Sequence, residues 1–244
     1  MKRLAAHIKL RLIQLVREPA FVVSTLIFPS LFFLIFALPN ASSPERARLL
    51  LGSFASFAVV GVCVFHFGVS FANEIRMGWH SYIRTLPIRA SELWLAMCFD
   101  AILFALVAAG FVYLTVNGTT EADVSTAMWL KVSLILLLGA IPFALFSAAL
   151  ATWTSAQAAL PVFNLIYILG SFAGGLWMPP NALPEKVQTL SKFLPTRHLG
   201  ELAWAVLLEH EIPWRFVAYL FSFGALSAMV LATRMLWHHR LQKI

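Results

Sequence analysis

Residues 49–72 read LLLGSFASFAVVGVCVFHFGVSFA, an apolar run in which His66 is the one member of the set Asp, Glu, Lys, Arg and His. A helix needs about 20 mostly apolar residues to cross a bilayer, because ~30 Å of hydrocarbon is climbed at ~1.5 Å per residue. This run meets that length. So do five others, at roughly 20–38, 93–116, 128–152, 158–178 and 214–236. None has the ~10-residue alternating segments of an outer-membrane barrel. The expectation is an all-α, polytopic membrane protein with six transmembrane helices.

Composition agrees. The chain has 244 residues, 60% hydrophobic and 12% charged, with a mean hydropathy of +0.82. Soluble domains carry roughly 25% charged residues. Half that, with 21 Phe and 8 Trp, leaves too little polar surface to cover a globule in water. No strong internal repeat and no domain-sized soluble segment interrupts the pattern, so one membrane domain over 1–244 is the simplest organisation. The first run follows an 18-residue basic segment and has no small-x-small site behind it, which argues against a cleaved signal. Cys63 and Cys98 fall inside predicted spans without CxxC spacing and read as small apolar residues, with no metal implied.

Lys and Arg orient the chain. Six spans put both termini on one side, with Lys2, Arg3, Lys9, Arg11, Arg17, Arg76, Arg84, Arg89, Arg234, Arg240 and Lys243 against Glu18, Glu74 and Glu92. The other side balances seven basic residues with seven acidic ones. Both termini are therefore expected in the cytoplasm. The sequence pI of about 9.9 follows from this topology, and the basic clusters are too short for a nucleic-acid surface, so no nucleic-acid partner is expected.

Outside the spans, residues 1–18 set Leu4, Ile8, Leu12 and Leu15 on one helical face and Lys2, Arg3, Lys9, Arg11 and Arg17 on much of the rest. That is the pattern of a helix lying in the headgroup plane, with membrane lipid as its partner. Residues 73–92 form the connector after span two. Ile75, Trp79, Tyr82, Ile83 and Leu86 share a face over about three turns, closed by Pro87. Two readings stand here: aromatic anchors at the membrane interface, or a docking helix for a cytoplasmic partner. Residues 179–213 precede span six and divide into two short helices. One has Pro184 near its start and Val187, Leu190 and Leu194 on a face; the other follows Thr196 as a possible N-cap. Both are too short to span, which suits a re-entrant or interfacial hairpin. A short tail, 237–244, ends the chain.

Three features together resemble the ABC-2-type permeases, the membrane subunits of ATP-binding cassette exporters. They are the basic interfacial helix before six spans, the Glu74…Gly78…Leu86-Pro87 connector, and the Gly174-Gly175…Pro179…Leu183-Pro184…Leu194-Pro195 hairpin. The connector keeps Glu74, Arg76, Gly78 and Pro87 of the family pattern and departs from it at Trp79-His80-Ser81, with Ser81 at the second acidic position. The resemblance implies that Glu74, Arg76, Gly78, Trp79, His80, Tyr82, Ile83, Arg84 and Pro87 form a coupling helix against an ABC ATPase. It implies that ATP and Mg are held by that ATPase and no cofactor by this chain, and that a second permease copy or homologue completes the pathway. It implies that Gly174, Gly175, Pro179, Pro184 and Pro195 shape an external gate, and that the location is a bacterial inner (plasma) membrane.

The motifs that are missing fit a non-catalytic subunit. There is no G-x-x-x-x-G-K-[ST], no H-E-x-x-H and no G-x-S-x-G. The Phe- and Leu-rich spans favour an amphipathic, lipid-like or drug-like cargo. Pro29, Pro142 and Pro161 are expected to kink spans one, four and five. Gly170 and Gly174 form a GxxxG that invites a close neighbour. His66 and Asp100 lie at matching depths of spans two and three, which predicts a polar contact pinning that hairpin. The alternative is a proton-coupled secondary transporter or channel that uses His66 and Asp100.

Overall fold

The computed structural model describes residues 22–76 and 90–241, with residues 9, 10, 12, 13 and 17 ahead of them. Every regular element among the described residues is helical. Five of the helices are long and apolar enough to cross a membrane.

The first apolar run differs from expectation. It is built of short pieces: π-helical Val23–Ile27, α-helical Phe28–Phe32, π-helical Phe33–Ala37 and a final 3-10 turn, Leu38–Asn40. Its apolar helix, α1, is Thr25–Asn40. A π-helical path is wider than an α-helix and rises less per residue. Pro29 supplies a cause, since it has no N–H for the Thr25 carbonyl and its ring crowds that carbonyl. Of the interfacial helix expected over 1–18, only Lys9, Leu10, Leu12, Ile13 and Arg17 are described. Leu12 packs on the core while Lys9, Leu10, Ile13 and Arg17 are exposed.

Helix α2 runs over Pro44–Arg76 and is the axis of the bundle. It starts with Pro44 at its first position and the Ser43 hydroxyl accepting from Arg46 N at 3.3 Å, a sound N-terminus. It is α-helical over Pro44–Cys63, π-helical over Val64–Ser70 and α-helical again over Phe71–Arg76. Its most apolar stretch is 94% buried, against 50% for α3 (Ala90–Thr119) and α4 (Thr126–Ala151), and 22% for α5 (Ala156–Ala173) and α8 (Trp214–Leu241). α3, α4 and α5 pack on α2, α8 packs on α4, and they present outer faces, such as Leu95, Phe99, Ile102 and Leu106 of α3, away from the protein.

Between α5 and α8 lie α6 (Glu185–Ser191) and α7 (Pro195–Leu207). α7 packs on α2, α4 and α8 and is buried along most of its length. Small residues on the axis let neighbours in. A Cβ on Gly61 would meet the Tyr167 hydroxyl at 2.8 Å, and one on Gly68 would meet the Phe163 ring at 2.5 Å. These two glycines seat α5 on α2, the close packing that brings polypeptides together in lipid.

The bundle has two distinct ends. At one, α2 begins, Arg48 donates to the carbonyls of Ala122 and Asp123 at 2.8 and 3.1 Å, and α6 and α7 sit. At the other, Arg76, the last described residue of α2, lies beside the turn between α4 and α5. These are called here the hairpin end and the connector end.

Candidate functional site

At the connector end, Glu74 is half-buried and Arg76 is exposed overall. The Arg76 guanidinium reaches back into the chain, with Nη2 donating to the Thr152 carbonyl at 3.4 Å. The remaining residues of the expected coupling helix, Gly78, Trp79, His80, Tyr82, Ile83, Arg84 and Pro87, lie outside the described residues.

Deeper in, the depth argument for His66 and Asp100 meets its structure. Both side chains are fully buried. His66 Nε2 lies 3.1 Å from the Met97 carbonyl, so that nitrogen carries the proton and donates. Met97 is one turn before Asp100 on α3, so the two ionisable groups share one layer between α2 and α3. Thr25 of α1 is buried too, and the start of α1 packs on α3.

The hairpin end holds the most built arrangement. Gly174 closes α5, and Gly175 takes a φ of +79°, a left-handed value that glycine adopts without a Cβ penalty. This ends the fifth span at Ala173, not near 178 as its hydropathy suggested. The chain then turns through Pro179 and a 3-10 turn, Pro180–Ala182, before Pro184 caps α6. α7 starts with Pro195 at its first position and Leu194 as N-cap. Thr196 is thus not the N-cap expected from sequence. Its hydroxyl is used elsewhere, donating to the Gly170 carbonyl at 2.6 Å. A Cβ on Gly174 would meet Thr196 Oγ1 at 2.2 Å. The close neighbour that the GxxxG invited is α7 of the same chain.

Further contacts lock α7 down. Trp204 Nε1 donates to Ser53 Oγ on α2 at 2.9 Å, and Leu199 fills the space over Gly139 of α4. Arg197 pairs with Glu201 one turn on. Tyr219 of α8 donates to the Phe193 carbonyl, and its ring lies 3.8 Å from that of His198. Burial pushes the His198 imidazole below its ordinary range near 6.5; the Lys192 carbonyl opposes this, and the Arg197 and Arg215 cations add to it.

An aromatic cluster joins α1, α2, α5 and the turn after Gly175. Phe57 stacks on Tyr167 at 4.5 Å, and Trp177 meets Phe32 at 4.7 Å and Phe57 at 5.9 Å. Tyr167 also donates to the Phe57 carbonyl at 3.2 Å. Sequence reasoning passed over Tyr167, Trp177, Trp204 and Thr152. For the first and third, a lone hydroxyl or indole in an apolar stretch was an available signal, since such groups seek a partner when buried. Among the described residues, no three of His, Cys, Asp and Glu gather as a metal would need.

Comparison with known proteins places this arrangement. The family model for the ABC-2 type transporter matches residues 3–208. A protein of Bacillus subtilis (strain 168) described as "Putative transport permease YvfS" is 25% identical over 226 residues, which cover 89% of this chain and 92% of that relative. With most of its length matched, this chain belongs to the ABC-2 type transporter family.

Proposed function

We propose that the chain is the permease subunit of an ABC exporter. It forms half of a transmembrane pathway for an amphipathic, lipid-like or drug-like substrate, and a separate ATPase subunit, holding ATP and Mg, drives it. The observation that carries this reading is α2. One 33-residue helix runs from the hairpin end, where it holds α7, to Glu74 and Arg76 at the root of the connector. A displacement at the connector is delivered to the bundle's most buried element, and packed elements of this kind move as units.

In this reading both termini and the connector are cytoplasmic, and α6 and α7 are external. The first apolar run serves as a sixth span. Residues 74–87 form the coupling helix in a groove of the ATPase, and Gly174, Gly175, Pro179, Pro184 and Pro195 shape the outer cap. A second copy or homologue faces α5. Support for that face comes from Gln157 and Asn164, which are exposed on an otherwise apolar helix surface beside Leu160 and Leu165. Polar side chains at membrane depth seek a protein partner or a hydrated path.

The test is reconstitution with the cognate ATPase in liposomes. Export of a fluorescent amphipathic probe has to require both subunits and ATP hydrolysis. Uptake or release by this chain alone, driven by a pH gradient and lost in Asp100→Asn, would replace this reading with the proton-coupled one.

A further inference from the structure

The turn between α4 and α5, Thr152 to Ser155, is closed on itself to an unusual degree. The last carbonyls of a helix have no partner within it, yet here the final three are used. Ala149 O accepts from Thr152 N at 3.1 Å and Thr152 Oγ1 at 2.7 Å. Leu150 O accepts from Trp153 N at 3.0 Å and Thr154 Oγ1 at 2.9 Å. Ala151 O accepts from Thr154 N at 3.2 Å. Ser155 then caps α5, accepting from Ala158 N at 3.2 Å. The next carbonyl in the series, Thr152 O, takes Arg76 of α2. The Phe71–Arg76 piece packs on both α4 and α5. On the adjacent residue, the Arg234 guanidinium of α8 lies 5.3 Å from the centre of the Trp153 ring. Two cations therefore converge on the C-terminal, negative end of α4, where the helix dipole favours them.

We propose that Arg76 is a positioning residue within this chain and not a handle for the ATPase. It clasps the root of the connector to the α4–α5 turn, so that movement of the connector passes to α4 and α5 and, through Trp153 and Arg234, to α8. The inference rests on the reading of the connector as the element an ATPase moves. It separates two jobs that the family pattern leaves on neighbouring residues: grip, by the aromatic and aliphatic residues of 79–86, and transmission, by Arg76, next to Ile75, which packs on the chain's own core.

The experiment uses the full chain with its ATPase in liposomes and measures three things: ATPase retained on purification, ATP hydrolysed, and probe exported. Arg76→Gln keeps most of the length and loses the charge. It should retain ATPase at the wild-type level while export per ATP falls about two- to thirtyfold, the range expected when a coupling contact is removed. Arg76→Lys, which still places a cation at the carbonyl, should recover most of that loss; a merely space-filling role would not be rescued this way. Trp153→Ala and Arg234→Gln, on the far side of the turn from the connector, should give the same signature, and they carry the test if Arg76→Gln fails to accumulate. Loss of ATPase binding in Arg76→Gln to the extent seen in Ile83→Asp would overturn the proposal, as would unchanged export per ATP in Arg76→Gln. Failure of Ile83→Asp to lose the ATPase would instead overturn the underlying reading of the connector, whatever Arg76 does.

Discussion

Ser53→Ala is a one-atom change with a calculable cost. Ser53 and Trp204 are 6% and 7% exposed, and their 2.9 Å hydrogen bond is the direct side-chain link from α2 to α7. Removing Oγ leaves the indole N–H in a dry, close-packed seam, where Trp204 Cδ1 already stands 3.0 Å from the place of a Cβ on Gly52. A buried donor without an acceptor costs about 1–3 kcal/mol. The reverse deletion, Trp204→Phe, is less costly in its polar part. A helical Ser hydroxyl can turn back to the carbonyl four residues earlier, here Leu49, although lost indole volume adds a packing cost. The double variant removes both polar partners and should be little worse than Trp204→Phe alone, a coupling of about 1 kcal/mol. For a chain of this size, ~1 kcal/mol moves a melting temperature by about 2–4 °C, so Ser53→Ala should lower the apparent Tm in detergent by about 5 °C. If Ser53→Ala melts with the wild type, or if the two substitutions add, α7 is not held on the axis by this bond.

Two further outcomes follow from the hairpin end. Gly174→Ala places a Cβ 2.2 Å from Thr196 Oγ1 and 2.8 Å from the Gly170 carbonyl, so it should cost about 1–3 kcal/mol by overpacking; Gly170→Ala, with its nearest neighbour 3.9 Å away, should be neutral or gain up to about 1 kcal/mol in helix propensity, and paired Tm measurements read the difference. His198 is held neutral by burial and the nearby arginines, so its folded value lies below its unfolded value of about 6.5. Its contribution to stability is present above that unfolded value and is lost as pH falls through the folded one, so hydrogen-exchange protection over 193–200, taken relative to the intrinsic exchange rate at each pH, should fall as pH drops from about 7.5 to about 5 in wild type and stay flatter in His198→Phe.

The spans were legible because length and apolarity fix them, and five of the six runs return as long helices. Which helix would be the axis was not legible in hydropathy: α2 and α3 score 2.1 and 2.3, yet their buried shares are 94% and 50%. The discriminating signal was side-chain size. α2 carries Gly52, Ser53, Ala55, Ser56, Ala58 and Gly61 around its circumference, so neighbours approach from every side. α3 keeps large apolar residues on a face that no described residue covers. Pro184 was read near the start of its helix and stands as the N-cap of α6, but Thr196 was placed one role away from its actual one because Pro195 fits the first helical position better. The Thr152 carbonyl that takes Arg76 and the Met97 carbonyl that takes His66 were beyond sequence reading for one physical reason: main-chain carbonyls carry no residue signature.

The central claim is that an ATPase moves this bundle through the stretch from Glu74 to Pro87. The most direct measurement is the amount of cognate ATPase that co-purifies with the full chain carrying Ile83→Asp, compared with wild type at equal expression and equal melting temperature. A charge in place of the proposed Ile83 anchor should reduce the retained ATPase at least about tenfold, the loss expected when a buried interface anchor is replaced by an unpaired charge. Equal retention by the two proteins would contradict the account.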